Sequence, residues 1–196
     1  MHPERWLRQY SGMRGEQTGR RSGQLTIRVA RRDDLALLLA IEQAAGQSFR
    51  SLGMDLVADD DPGTVEELAR YAECGRAFVS VDAHDRPVGY LLLAVVDEAA
   101  HVDQVSVHPD QARQGIGRAL IEQAMTWARS QGLAAVTLTT FVEVPWNGPY
   151  YERLGFSYLA GHDETPGLRA IREAERRAGL DAWPRACMQR HVGSTT

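Results

Sequence analysis

Between Val105 and Ala124 the chain changes its period within a few residues, and Pro109, Gly115 and Gly117 punctuate the change. Upstream, AHVDQVSV has the alternating, β-branched character of a strand. Downstream, Ile116 to Gln131 places Leu120, Ala124, Trp127 and Ala128 on one helical face, and Gly132 stops the helix. A helix start leaves about four N–H groups unpaired and carries roughly half a positive charge. Glycines there let an anion approach the backbone with no Cβ in the way. Such a turn suits a phosphate, and Arg113 and Arg118 add positive charge beside it. Alone, a Gly-x-Gly before a helix marks a tight turn as readily as an anion site. Two other phosphate loops are excluded: no G-x-x-x-x-G-K-[ST] occurs, and Leu120 stands where the dinucleotide fingerprint needs a third glycine.

The rest of the chain sets this turn in a mixed sheet. LTIRV reads as a strand, followed by a helix with Leu38, Ile41, Ala45 and Phe49 on one face. Residues 51–63 read as a loop rich in Asp and Gly. Thr64 and Glu67 form a capping box for a second helix, which Gly75 ends. AFVSVDA and PVGYLLLAVVD read as a hairpin across His84-Asp85-Arg86-Pro87, and AHVDQVSV as the next strand. After the glycine-started helix come the strand AAVTLTTF, a short helix through Arg153, a strand opened by Phe156, a helix over 166–178 and a final strand RACMQRHV. Successive strands imply antiparallel neighbours, and strand–helix–strand units imply parallel ones. The expected class is α/β, an α+β mixed sheet of about seven strands flanked by helices. Residues 1–23 are expected to be a poorly ordered extension, with one domain over residues 24–196.

HVDQVSVHPDQARQGIGRALIEQA, together with NGPYYERLGF, resembles the GNAT superfamily of acyl-CoA N-acyltransferases. The resemblance in element order runs from about residue 25 to 160, most of the chain. It implies a GNAT-like fold with a splayed β-bulge at the acyl-CoA site, and acetyl-CoA as acyl donor. The family's phosphate loop is written [QR]-x-x-G-x-[GA], and Ala112 stands here where Gln or Arg belongs. By resemblance, the backbone amides of Gln114, Gly115, Ile116, Gly117 and Arg118 bind the pyrophosphate, and Arg113 is a further cofactor-binding candidate through its charge. Val105, Ser106 and Val107 offer backbone to the pantetheine arm, and Asn147, near the short helix, is a further cofactor-binding candidate or simply the N-cap of that helix.

Acyl transfer to an amine needs a neutral amine, a donor for the oxyanion and a proton for the leaving thiolate. The resemblance points to Tyr151, four residues before Gly155-Phe156, as the group at the sulfur. Tyr150 is rotated by about 100° on a helix and is expected to pack. Many relatives carry Glu where Asp103 stands, so Asp103 is the expected base or amine-binding carboxylate. His101 is a rival base, and His162 a weaker one. Strand alternation groups His101, Asp103 and Val105 on one face.

By resemblance the acceptor lies against residues 49–63, 141–147 and 159–167. Asp55, Asp59, Asp60 and Asp61 there would attract a cationic amine, or simply form a solvated loop. Phe141 and Trp146 are a candidate aromatic wall or core. The expected activity is acetyl transfer to a primary amine of a small molecule; a protein Nα-acetyltransferase and a non-catalytic CoA-binding domain are the alternatives. The net charge of −4 and scattered arginines argue against nucleic acid. No stretch approaches the ~18 apolar residues of a membrane span. Cys74 and Cys187 have no metal or redox spacing, and no metal site is expected. A cytoplasmic enzyme, with the segment beyond residue 160 as a candidate homodimer seam, completes the expectation.

Overall fold

The computed structural model describes residues 25–193, so the expected extension over residues 1–23 lies outside the described residues. The chain runs β1 (Thr26–Val29), α1 (Leu35–Gly46), α2 (Asp55–Ala58), α3 (Val65–Glu73), β2 (Ala77–Val81), β3 (Pro87–Val96) and β4 (Ala99–Val107). It continues α4 (Ile116–Ser130), β5 (Ala135–Phe141), α5 (Gly148–Arg153), β6 (Ser157–Tyr158), α6 (Pro166–Arg177) and β7 (Arg185–His191). The seven strands form one mixed sheet in the order β1-β2-β3-β4-β5-β7-β6. Among the described residues only β4 and β5 are parallel neighbours, and α4 is the crossover that a parallel pair requires.

Local sequence explains most of these boundaries. Thr64 Oγ1 accepts from Glu67 N at 3.2 Å while Glu67 reaches back to Thr64 N at 2.8 Å, which starts α3. Pro166 opens α6 behind the Thr165 cap. The expected loop over 51–63 departs from expectation. A 3-10 turn covers Gln47–Leu52 and α2 follows, because Met54, Val57 and Ala58 are drawn into the core.

One face of the sheet is covered by α4, with Leu91, Val105, Ile116, Leu120 and Leu138 in a common apolar cluster. The other face, at the β1 end, receives Leu35, Leu38 and Ile41 of α1 and Leu68 of α3 against Val79, Tyr90 and Leu92. The C-terminal segment is integral to the sheet. β7 pairs with β5 from Ala135↔His191 to Phe141↔Arg185 and separates β5 from β6. α6 is fastened beneath it by Glu175, which is buried against Arg185 at 2.6 Å. No helix among the described residues is long and apolar enough to cross a membrane.

Candidate active site

β4 and β5 pair only at Ala100↔Val136 and His101↔Thr137. Beyond those residues no ladder joins them, and the strands part. On its other side β4 stays on β3, but the register skips a residue: Leu93 pairs with Val102 and Leu92 with Gln104. Asp103 is the extra residue of a β-bulge. The bulge overturns the alternation expected from sequence. Val105 lies opposite Leu91 and Val102 opposite Leu93, so both face α4. Gln104 and Ser106, opposite Leu92 and Tyr90, instead share the α1 face with His101 and Asp103. One inserted residue resets a period of two, which is why Val105 is on the opposite face from Asp103.

His108 N donates to Val88 O at 2.8 Å. In an antiparallel ladder this makes Tyr90 and Ser106 a hydrogen-bonded pair and turns the backbone groups of Val105 and Val107 outward, to the gap. Ser106 is therefore placed differently from its neighbours. Its backbone faces β3, and its hydroxyl accepts from Gln104 Nε2 at 2.9 Å. Thr140 Oγ1 on β5 and Trp146 Nε1 just after it are buried without a hydrogen-bond partner. Buried polar groups are rarely left so, and each has capacity for one further bond.

The glycine turn follows directly from β4. His108 O and Pro109 O accept from Gln111 N and Ala112 N, closing a tight turn. Arg113 and Gly115 take positive φ of 64° and 80°, and α4 begins at Ile116. Among the described residues no backbone carbonyl accepts from the N–H groups of Gln114 to Arg118. This is the donor cluster that a helix start offers an anion. A Cβ on Gly117 would lie 3.0 Å from Tyr150 Oη and 3.9 Å from Val107 Cγ2, so residue 117 lies between the β4 edge and the Tyr150 ring. Gly89 on β3 is equally constrained, since a Cβ there would meet Ser106 O at 2.9 Å and Ile116 Cγ2 at 3.0 Å.

Tyr151 lies on α5, fully buried, with its ring edge-on to Phe156 at 5.6 Å. It belongs to the apolar cluster that contains Val105, Val107 and Ile116. Burial raises its phenol well above the ordinary range, with Arg185 opposing, so the group remains a proton donor. Tyr150 is half-buried; its phenol is raised by burial against the opposing charges of Arg118 and Arg153. Arg153 lies 5.8 Å from its ring centroid. Asn147 is buried at the start of α5, where its carbonyl accepts from Tyr150 N and Tyr151 N. Its side chain makes no capping bond, which removes helix capping as the explanation for this asparagine.

Asp103 is 6% exposed, and its Oδ2 accepts from the Tyr71 hydroxyl of α3. The bulge aims the carboxylate and Tyr71 holds it. His101 has a different character. It is 1% exposed, with Nδ1 3.0 Å from Thr137 Oγ1. Burial pushes its pKa down to about 4, against the opposing charge of Glu175. A buried ring that weakly basic is a poor proton acceptor. His162 is exposed beside Asp163, in the loop after β6. Among the described residues no group of three or more His, Cys, Asp or Glu is placed to hold a metal ion.

An unfolded His101 titrates near 6.5, so between pH 6.5 and about 4 the unfolded chain binds a proton that the folded state refuses. Stability should fall as pH drops through that window, by about 3 kcal/mol in full. Urea melts of the wild type and His101→Gln at several pH values check this. The variant should lose that component of the slope; identical slopes would show that His101 is protonated in the fold.

On the α1 face a cleft is lined by Glu42, Phe49, Asp60, Gln104 and Ser106. Phe49 meets Phe141 edge-on at 5.7 Å and Trp146 at 5.8 Å. Phe141 and Trp146 do not line the cleft and back the wall that Phe49 presents. The acidic loop divides. Asp55 and Asp59 both bond Arg50 at the surface, whereas Asp60 turns to the cleft. Sequence reading missed Glu42 and Tyr71. Each stands at helical spacing from an apolar core residue, Glu42 from Leu38 and Tyr71 from Leu68, and a polar group on an apolar face is the signal available.

Comparison with known proteins agrees with this architecture. The curated peptidyl-lysine N-acetyltransferase YjaB of Salmonella typhimurium is 33% identical over 93 residues, covering 46% of this chain and 56% of that protein. An uncharacterized N-acetyltransferase of Methanocaldococcus jannaschii is 31% identical over 86 residues, covering 40% and 38% of the two chains. The chain thus spans about half the length, or less, of the curated relatives it matches. Among solved structures, the ribosomal-protein-S18-alanine N-acetyltransferase of Escherichia coli superposes with a TM-score of 0.60 at 21% identity, over 88% of this chain and 96% of that one. The PaiA N-acetyltransferase of Thermoplasma acidophilum, in complex with coenzyme A, superposes with a TM-score of 0.63 at 13% identity, over 86% and 99%. These two likenesses concern the fold. The sequence profile of the acetyltransferase (GNAT) family matches residues 38–156, which carry most of α1, the parting strands, the glycine turn and α5. The chain belongs to the GNAT family.

Proposed function

We propose that the protein is an acetyl-CoA-dependent N-acetyltransferase acting on a primary amine of a small molecule. The observation that carries this reading is the parting of β4 from β5, with Asp103 bulged at the fork and the glycine-started α4 beyond it. The N–H groups of Gln114 to Arg118 hold the pyrophosphate, and Arg113 and Arg118 add charge. The outward backbone groups of Val105 and Val107 pair with the pantetheine amides. The acceptor enters from the α1 face, so amine and thioester meet at the fork.

The amine nitrogen attacks the thioester carbonyl, the C–S bond breaks, and acetamide and CoA thiol form. Asp103 takes the amine proton directly or through water. Tyr151, kept protonated by burial, donates to the departing sulfur. Tyr151→Phe should lower kcat about a hundredfold, with acetyl-CoA affinity unchanged. Tyr150→Phe should cost far less. The reverse ranking in a thiol-release assay would assign the sulfur to the other ring.

A second reading takes the lysine side chain of a peptide as acceptor. The name of the YjaB relative favours it. Thiol release with acetyl-CoA against small amines, lysine peptides and peptides with free N-termini decides among them. Turnover of small amines supports the first reading, and turnover confined to peptides removes it.

A further inference from the structure

The cleft on the α1 face carries two carboxylates, Glu42 and Asp60, with Gln43, Gln104 and Ser106 as its neutral polar groups. Glu42 of α1 is 7% exposed and accepts from Tyr90 Oη at 2.7 Å. Asp60 faces it from the chain after α2. Gln104, just past the bulge, is 5% exposed, and its Oε1 has no hydrogen-bond partner. Its amide nitrogen is held by Ser106 Oγ, so the oxygen is the end left over. Among the described residues no Lys, Arg or His lines the cleft. The neighbouring cation, Arg50, is spent outside it on Asp55 and Asp59. Gln47 Nε2 bonds Ala58 O at 3.0 Å and ties the end of α1 to α2, so the two acidic walls are held together.

Two carboxylates and an unsatisfied amide oxygen accept hydrogen bonds and supply none that an anion could use. An ammonium has three N–H donors and a positive charge, so it suits the unpartnered Gln104 oxygen and the acidic lining beside it. Building on the acetyltransfer reading, we propose that Glu42, Asp60 and Gln104 bind a second ammonium of the acceptor, making the substrate a small di- or polyamine. One ammonium anchors in the cleft while the other, as the neutral amine, reaches the thioester at the fork. An amine with a carboxylate at its far end would bring that anion against Glu42 and Asp60, and the cleft rejects it.

Three amines of equal length test this: 1,4-diaminobutane, n-butylamine and 4-aminobutyrate. The wild type should acetylate the diamine with a kcat/KM about tenfold or more above butylamine, because a charge-assisted pair is at stake. Aminobutyrate should be the slowest. Glu42→Gln keeps an acceptor for Tyr90 and removes the charge, and it should narrow the diamine-to-butylamine ratio severalfold. Asp60→Asn, on the more exposed wall, should narrow it also. The acetyl-CoA-induced rise in melting temperature shows that each variant is folded. Thiol release that is equal for the diamine and butylamine, or a ratio that neither variant changes, overturns the proposal and leaves acetyl transfer standing. No thiol release with any amine or peptide overturns the acetyl-transfer reading, and this proposal with it.

Discussion

Gly117→Glu should abolish the stabilisation that acetyl-CoA confers. A ligand that binds only the folded state adds about 2.7 kcal/mol at a hundredfold excess over its Kd. In a domain of this size that is a rise of about 5–10 °C in melting temperature. The new side chain starts beside Tyr150 Oη, 3.0 Å from the position of its Cβ. It then places a carboxylate among the N–H groups of Gln114 to Arg118, where the pyrophosphate charge is proposed to sit. Tyr150 is half-buried and yields at its hydroxyl end, so the unliganded melting temperature should change little. Gly117→Ala separates bulk from charge and should retain most of the shift. Differential scanning fluorimetry of the three proteins with and without acetyl-CoA gives the answer. An undiminished shift in Gly117→Glu would move the phosphate site elsewhere.

Glu175→Ala should be the most destabilising single substitution considered. Glu175 and Arg185 are buried, 2.6 Å apart, and Arg185 also bonds Thr139 Oγ1 at 3.2 Å. The guanidinium lies 4.2 Å over the Phe141 ring, which supports the N–H groups that have no oxygen partner. Burial alone would raise the Glu175 carboxyl, but Arg185, Thr139 and Arg172 hold it below its ordinary value. Removing the carboxylate leaves a buried guanidinium without its counter-charge, which costs about 3–5 kcal/mol. Thermal melts should show a loss of roughly 10–15 °C. The double variant Glu175→Leu with Arg185→Met should recover much of it, because replacing both partners removes the stranded charge. A single variant that melts within about 2 °C of wild type would show that the pair is solvated.

These contrasting sites show what was legible in the sequence. Elements with local punctuation were read where they lie: the Thr64–Glu67 box, the Pro166 start and the Gly115 turn act within a few residues. The segment over 51–63 was not, because α2 depends on burial of Met54, Val57 and Ala58 against distant elements. At the site, the turn and the strand before it were visible as a pattern. The face that Val105 takes was not, since a bulge at Asp103 is a property of the β3–β4 register. The aspartates of the acidic loop carry equal formal charge in sequence. Only the fold assigns Asp55 and Asp59 to Arg50 and places Asp60 and Glu42 in the lining of the cleft.

The most direct test of the acyl-CoA site is calorimetric titration of the wild-type protein with acetyl-CoA. Saturable binding with one ligand per chain is expected, and its loss in Gly117→Glu. The absence of binding heat and of any thermal shift at millimolar acetyl-CoA would contradict it.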